Sequence, residues 1–284
     1  MKRRDLLKAV MSVIAAHSLS GNAFAADKKM PVLFVGHGSP MHVLRDNPFT
    51  QHLNRLGETL PTPRAVLVIS AHWLADETTL SSTEEPDTMY DFGGFPDALY
   101  EVTYPCMGEP ELASRLAADL QQYRGELDEH RGLDHGAWAV LHHLYPQADI
   151  PVIQLAMSRK LSFEEHFELG AAIRQLRHEG VLILGSGNIV HNLRKLDRSA
   201  NAVTPDWAAE FDALIKNALL QRDFDQLLAR DRSKYPLWKI SHPTIEHYLP
   251  LLYVLGATTE EDEISFPFEA FHSGSISMRS VKFG

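Results

Sequence analysis

Four short, nearly uninterrupted apolar runs punctuate the chain: Val32-Leu33-Phe34-Val35, Ala65-Val66-Leu67-Val68-Ile69, Val152-Ile153-Gln154-Leu155-Ala156 and Val181-Leu182-Ile183-Leu184. Runs of this length, rich in β-branched residues and without a polar alternate, predict strands buried on both faces, as in parallel sheets. Between them the apolar period lengthens to that of a helix. Residues 110–123 and 162–178 predict helices, the second opening with Ser162 and Glu165 in capping-box spacing and carrying Leu169, Ala172, Ile173 and Leu176 on one face. Residues 205–230 predict a further helical stretch, broken near Arg222-Asp223. A last helix is expected after His242-Pro243, with His247 in its first turn, Tyr248, Leu251, Leu252 and Leu255 on one face, and Gly256 at its end. Pro250 should bend that helix or delay its start. Residues 264–284 predict one or two strands around a Ser273-Gly274-Ser275 turn. The alternation points to a single α/β domain over 26–284 whose central sheet, largely parallel or mixed, is flanked by helices. Residues 81–108 are rich in Pro, Gly, Tyr and Phe and too apolar for a linker, so an ordered loop against a site is expected there.

The first 25 residues follow another pattern. Lys2, Arg3 and Arg4 lead into an apolar stretch around Leu6 to Ala16, and Ala23-Phe24-Ala25 supplies a small-x-small cleavage site. The stretch is too short and too interrupted to serve as a membrane anchor. Arg3-Arg4 followed by Asp5-Leu6-Leu7-Lys8 resembles a twin-arginine signal, read by a machinery that carries folded proteins, an ordinary Sec leader being the alternative. A periplasmic mature protein is therefore expected, with no stable membrane insertion after cleavage; a cytoplasmic location is the alternative. The charge balance, 27 Lys+Arg against 37 Asp+Glu, is net −10, and removal of the leader makes it 23 against 36, or −13. That sign argues against nucleic acid as a partner. A single cysteine, Cys106, excludes an internal disulfide framework and any multi-cysteine zinc site.

Fifteen histidines are many for 284 residues, and their placement matters more than their number. His37 follows the first strand, His72 the second and His191 the fourth, all at carboxyl ends, where open α/β sheets place ligand sites. Glycines flank His37 and lie near His191, leaving room for a sharp turn and a bound group. His135 follows Asp134, which could cap the next helix or hold the imidazole, and His247 lies near the start of the last helix. Singly, each is better explained as a capping or hydrogen-bonding residue; together, three imidazoles at strand ends point to a metal centre. Neither a Gly-x-Ser-x-Gly elbow, a dinucleotide loop at Gly185-Ser186-Gly187 nor a Walker lysine is present.

The runs Leu33-Phe34-Val35-Gly36-His37-Gly38-Ser39-Pro40-Met41, Ser70-Ala71-His72-Trp73, Tyr90-Asp91-Phe92-Gly93-Gly94-Phe95-Pro96, Asp134-His135-Gly136, Gly187-Asn188-Ile189-Val190-His191-Asn192 and Glu246-His247-Tyr248-Leu249-Pro250-Leu251-Leu252-Tyr253 closely resemble the 4,5-DOPA extradiol dioxygenase family. This family belongs to the class III, LigB-type, ring-cleaving enzymes, and the resemblance runs in order from about Pro31 to Gly284. It implies one divalent metal, Zn(2+) or Fe(2+), in a region built by His37, His72, His191 and His247. It leaves His191 as a fourth ligand or the base, and makes His191 or His135 the group that takes a phenolic proton. A catechol and O2 are the implied partners, with Trp73 and the Tyr90 to Phe95 loop as the aromatic wall. A chelatase-like metal-inserting enzyme and a non-catalytic envelope metal-binding protein are the rival expectations.

Overall fold

A computed structural model describes residues 29–199, 201–229 and 236–284. The predicted leader at 1–25 and the end of the helical stretch at 205–230 lie outside the described residues.

A six-stranded sheet forms the middle layer. Its strands are β1 (Val32–Gly36), β2 (Ala65–Ser70), β3 (Val152–Gln154), β4 (Val181–Gly187), β5 (Ile264–Phe268) and β6 (Ser280–Phe283), in the order β3-β2-β4-β1-β6-β5. The four apolar runs found in the sequence are the parallel part. The sheet is mixed because β6 joins β1 antiparallel and β5 joins β6 the same way. Side-chain alternation divides the core. Val32, Phe34, Leu67, Ile69 and Ile183 pack under α2 (Pro110–Asp119), α4 (Phe163–Ala172), α5 (Asp206–Gln221) and α6 (Leu249–Gly256). Leu33, Val35, Val66, Val68, Leu182 and Leu184 face α1 (Pro48–Thr59) and α3 (His135–Leu144).

Several boundaries differ from the sequence expectation, each for a local reason. The 162–178 helix is α-helical only to Ala172 and tightens into a 3-10 segment over Arg174–Glu179, closed by Gly180 at φ 77°. The 110–123 helix does the same after Asp119. The break at Arg222-Asp223 is present, with Arg222 in the left-handed region. The last helix starts at Leu249, so that Pro250 falls in its first turn, where a missing N–H costs nothing. His247 consequently lies in the turn before the helix and not within it. Residues 264–284 form four short strands, not one or two, the inner pair being Phe271–His272 and Ile276–Ser277 around the Ser273-Gly274 turn. Helix α1, which was not among the predicted helices, buries Phe49, Leu53 and Leu56 on one face and is set by a capping box between Asn47 and Thr50.

Candidate metal centre

The carboxyl ends of three adjacent parallel strands, β2, β4 and β1, open on one side of the sheet. His37 is the first residue after β1, and Gly38 at φ 67° turns the chain away behind it. His72 stands two residues beyond β2. His247 arrives from the far end of the chain: Asn188 N–H donates to its carbonyl at 2.8 Å, which holds the turn against the end of β4. Only glycine permits that approach, since a Cβ on Gly187 would stand 2.2 Å from the His247 carbonyl oxygen.

Ligand nitrogens of His37, His72 and His247 all lie within 4.8 Å of one another, with Nε2 of His37 and Nε2 of His72 3.1 Å apart. Among the described residues neither ring nitrogen of buried His247 has a hydrogen-bond partner, Glu246 standing 3.6 Å from Nδ1. Two orphaned nitrogens in a dry site are costly unless something engages them. Burial, and then the neighbouring imidazoles, push His37 and His247 well below the usual histidine pKa. Burial, followed by His135, lowers His72 to about 4 against the pull of Asp134, Asp91 and Glu246. The three rings are therefore neutral, which is the form that binds Zn, Fe, Cu or Ni, and their spacing and unpaired nitrogens fit a divalent ion.

His191 is brought to the centre but not into this trio. Its ring lies flat on that of His247, with centroids 3.4 Å apart and planes at 7°. Burial first, then His242 and His72, lowers its pKa to about 3. His135, the first residue of α3, places its ring 3.9 Å from that of His72 and 5.7 Å from that of His37. Of the two roles expected of Asp134, the structure shows the helix cap and not a hold on the His135 imidazole. Asp134 is the helix N-cap and accepts from Ala137 N–H, from the Ser70 hydroxyl at 2.6 Å and from the Gln154 amide at 2.7 Å. A cap carboxylate turns toward the first-turn N–H groups, away from the adjacent ring.

Asp91 holds His135 instead. Its Oδ1 accepts the His135 backbone N–H at 2.9 Å, and both its oxygens lie 3.0 Å from Nδ1. Its Oδ2 is also 3.5 Å from Nδ1 of His72. Burial would raise the Asp91 pKa, but the hydrogen bonds it accepts from the His135 side chain and backbone hold it down to about 2. Sequence reasoning missed this residue, although the loop it sits in was singled out as one that packs against a site.

Part of that loop packs against the histidines. Phe92 meets the His135 ring edge-on at 5.5 Å and is backed by Phe95 and Tyr100. Trp73 is buried under the Arg131 guanidinium, 4.8 Å above its ring. A surface cleft of about 680 Å³ between 85–90 and 103–107 includes Tyr90 but none of these histidines. His242 is buried and donates through Nε2 to the Ile189 carbonyl, two residues before His191. His42 pairs with the Asn47 amide at 3.1 Å, outside the cluster.

Comparison with known proteins adds the following. Residues 30–283 match the family described as the catalytic LigB subunit of aromatic ring-opening dioxygenase. The chain is 44% identical over 258 residues to a 4,5-DOPA dioxygenase extradiol of Escherichia coli K12, covering 90% of this chain and 95% of the relative. It is 38% identical over 264 residues to the enzyme of the same name from Beta vulgaris, covering 90% and 97%. A crystal structure of an uncharacterized E. coli K12 protein superposes with a TM-score of 0.78 at 39% identity, over 90% of this chain and 100% of that one.

Proposed function

The chain belongs to the LigB family of aromatic ring-opening dioxygenase catalytic subunits, and on that premise we propose that it cleaves a catechol such as DOPA in the extradiol position. The carbon–carbon bond beside the diol breaks, and both atoms of O2 enter a ring-opened semialdehyde. The catechol supplies the electrons, so no external reductant is needed.

What supports this reading most is the convergence of three neutral imidazoles, buried His37 and His247 and partly buried His72, beside the Asp91–His135 pair. His37, His72 and His247 would hold the metal, and His191, stacked on His247, completes the region. A divalent ion there supplies Lewis acidity toward the two catechol oxygens and, as iron(II), the one-electron chemistry that triplet O2 requires; zinc fits the same nitrogens without the redox step.

The chain's own residues do the rest. The Asp91 carboxylate accepts a hydrogen bond from Nδ1–H of His135, so Nε2 of His135 carries a lone pair able to accept a phenolic proton. His191, neutral by burial and stacked on His247, stands at the same centre as a fourth ligand or a base. Phe92, with Phe95 and Tyr100 behind it, offers the ring an apolar wall and keeps water from that side. The family match favours this reading over a chelatase-like enzyme or a non-catalytic metal-binding protein.

The leader belongs to the same proposal. Residues 1–25 act as a twin-arginine export signal cleaved after Ala25, and residues 26–284 form the periplasmic catalytic domain. The Arg3-Arg4 pair and Ala23-Phe24-Ala25 support this, as does the start of the family match at residue 30.

The test is reconstitution with Fe(II) under anaerobic conditions, addition of L-DOPA and other catechols with air, and measurement of O2 uptake together with the yellow ring-opened chromophore. Turnover is expected, and His72→Ala should lose both metal and activity. No turnover across a catechol panel, with iron bound, would refute the reading.

A further inference from the structure

Ser186 is the penultimate residue of the central strand, between two glycines, fully buried, and neither helix capping nor core packing accounts for it. We propose that Ser186 sets the tautomer of His37 and so aims its Nε2 lone pair into the metal centre. The inference rests on the metal reading above and adds a positioning residue to it.

The register places Ser186 opposite Val35 on one side and Ser70 on the other. It shares the face of β4 with Leu182 and Leu184, which look toward α1 and α3. On that face its Oγ lies 2.5 Å from the carbonyl oxygen of Gly136, in the first turn of α3. Two oxygens this close repel unless a hydrogen lies between them, and only the hydroxyl can provide one. The single Ser186 proton is therefore committed to Gly136.

The same Oγ lies 3.0 Å from Nδ1 of His37. With its proton engaged, the hydroxyl can only accept there, so Nδ1 of His37 must carry the hydrogen. A neutral imidazole protonated on Nδ1 has its free lone pair on Nε2. That is the atom 3.1 Å from Nε2 of His72, within the three-histidine cluster. Metal-ligating histidines usually find this orienting partner in a carboxylate or a carbonyl. Here a serine does the same because a carbonyl has consumed its proton.

The carbonyl is supplied by the helix that carries His135. Gly136 can sit that deep only without a side chain, since a Cβ would stand 2.4 Å from Ser70 Oγ and 3.0 Å from a ring carbon of His72. One chain of two hydrogen bonds thus ties the orientation of His37 to the position of α3.

Two measurements on the full chain test this. The first is Zn(2+) affinity by competition with a chromophoric chelator, for wild type, Ser186→Ala and, as a control, His37→Ala. The second is the nitrogen-15 spectrum of imidazole-labelled, metal-free protein, with the His37 signals assigned by their absence in His37→Ala. In wild type His37 should be protonated on Nδ1; in Ser186→Ala the proton should shift toward Nε2, and Zn(2+) binding should weaken by roughly 10- to 100-fold. A Ser186→Ala chain that binds Zn(2+) as tightly as wild type, or a wild-type His37 protonated on Nε2, would overturn the inference. Should Ser186→Ala fail to fold, the wild-type spectrum decides alone. Failure of wild type to bind Zn(2+) would instead refute the metal reading, and the spectrum would still judge the serine.

Discussion

Asp91→Asn separates the role of His135 from that of the metal. The substitution preserves size but removes the charge and one of the two accepting oxygens. In the native site the carboxylate takes the His135 backbone N–H at 2.9 Å and faces Nδ1 at 3.0 Å with both oxygens. Asparagine must turn its NH2 toward one of these donors, and the bond that survives becomes neutral, about half as strong as its charge-assisted form. A hydrogen bond to a charged group contributes ~1.5–3 kcal/mol. Because the Asp91 side chain is 21% exposed, water replaces part of the loss and the lower figure applies. About 1.5 kcal/mol corresponds to a loss of roughly tenfold in kcat at about 1.36 kcal/mol per decade. KM for the catechol should move less, because the contacts of Asp91 are to His135 and His72. The assay is O2 uptake with L-DOPA after Fe(II) loading, with iron per chain measured on the same samples. Since Asp91 also approaches Nδ1 of His72 at 3.5 Å, only activity lost at full iron occupancy counts. Undiminished kcat at full occupancy would refute the assignment of His135 as an Asp91-oriented proton acceptor.

Three further outcomes are expected. Burial lowers His166, whose Nδ1 lies 2.9 Å from the Tyr253 hydroxyl, to about 4. As pH falls from about 6.5 the unfolded chain takes up a proton at His166 that the folded chain refuses until about 4, so this residue should add up to ~1.4 kcal/mol per pH unit to the loss of stability over that window; urea titrations in which His166→Gln declines as steeply as wild type would contradict this. Arg177 and Asp262 form a buried bidentate pair at 2.7 and 2.8 Å, with the guanidinium also donating to the Met30 and Ala257 carbonyls; Asp262→Ala should cost ~3–5 kcal/mol by stranding the arginine, read as a lower denaturant midpoint. Replacement of Arg3 and Arg4 by lysine should leave the protein in the cytoplasm with an uncleaved N-terminus, as judged by fractionation and mass spectrometry; unchanged periplasmic recovery would refute the twin-arginine assignment.

The central strands were legible because each is covered on both sides: Val32, Leu33, Phe34 and Val35 are all buried, and the one polar residue within the four runs, Gln154, is buried and bonded to Asp134. The C-terminal strands carried a weaker signal. Ile264–Phe268 is only partly covered and contains Pro267, which suits an edge position and obscures the alternation. The start of α6 was readable in principle, since Pro250 marks a first turn, yet the apolar spacing alone drew the helix too far back over His247. Helix α1 was legible but missed: Asn47-Pro48 and Thr50 mark its start, and Phe49, Leu53 and Leu56 recur at helical spacing.

By itself the sequence determined that histidines would gather at one edge of the sheet. Parallel strands share a direction, so residues just past their carboxyl ends emerge on the same side whatever the strand order. Tertiary structure alone decided what each imidazole does there. The order β2-β4-β1 and the close approach at Gly187 select His37, His72 and His247 as the trio and lay His191 flat on His247. The partner that fixes each ring comes from far along the chain: Asp91 is 44 residues from His135, and Ser186 is 149 residues from His37. Local pattern sets backbone periodicity, whereas the tautomer and aim of a buried imidazole depend on which distant group meets its other nitrogen.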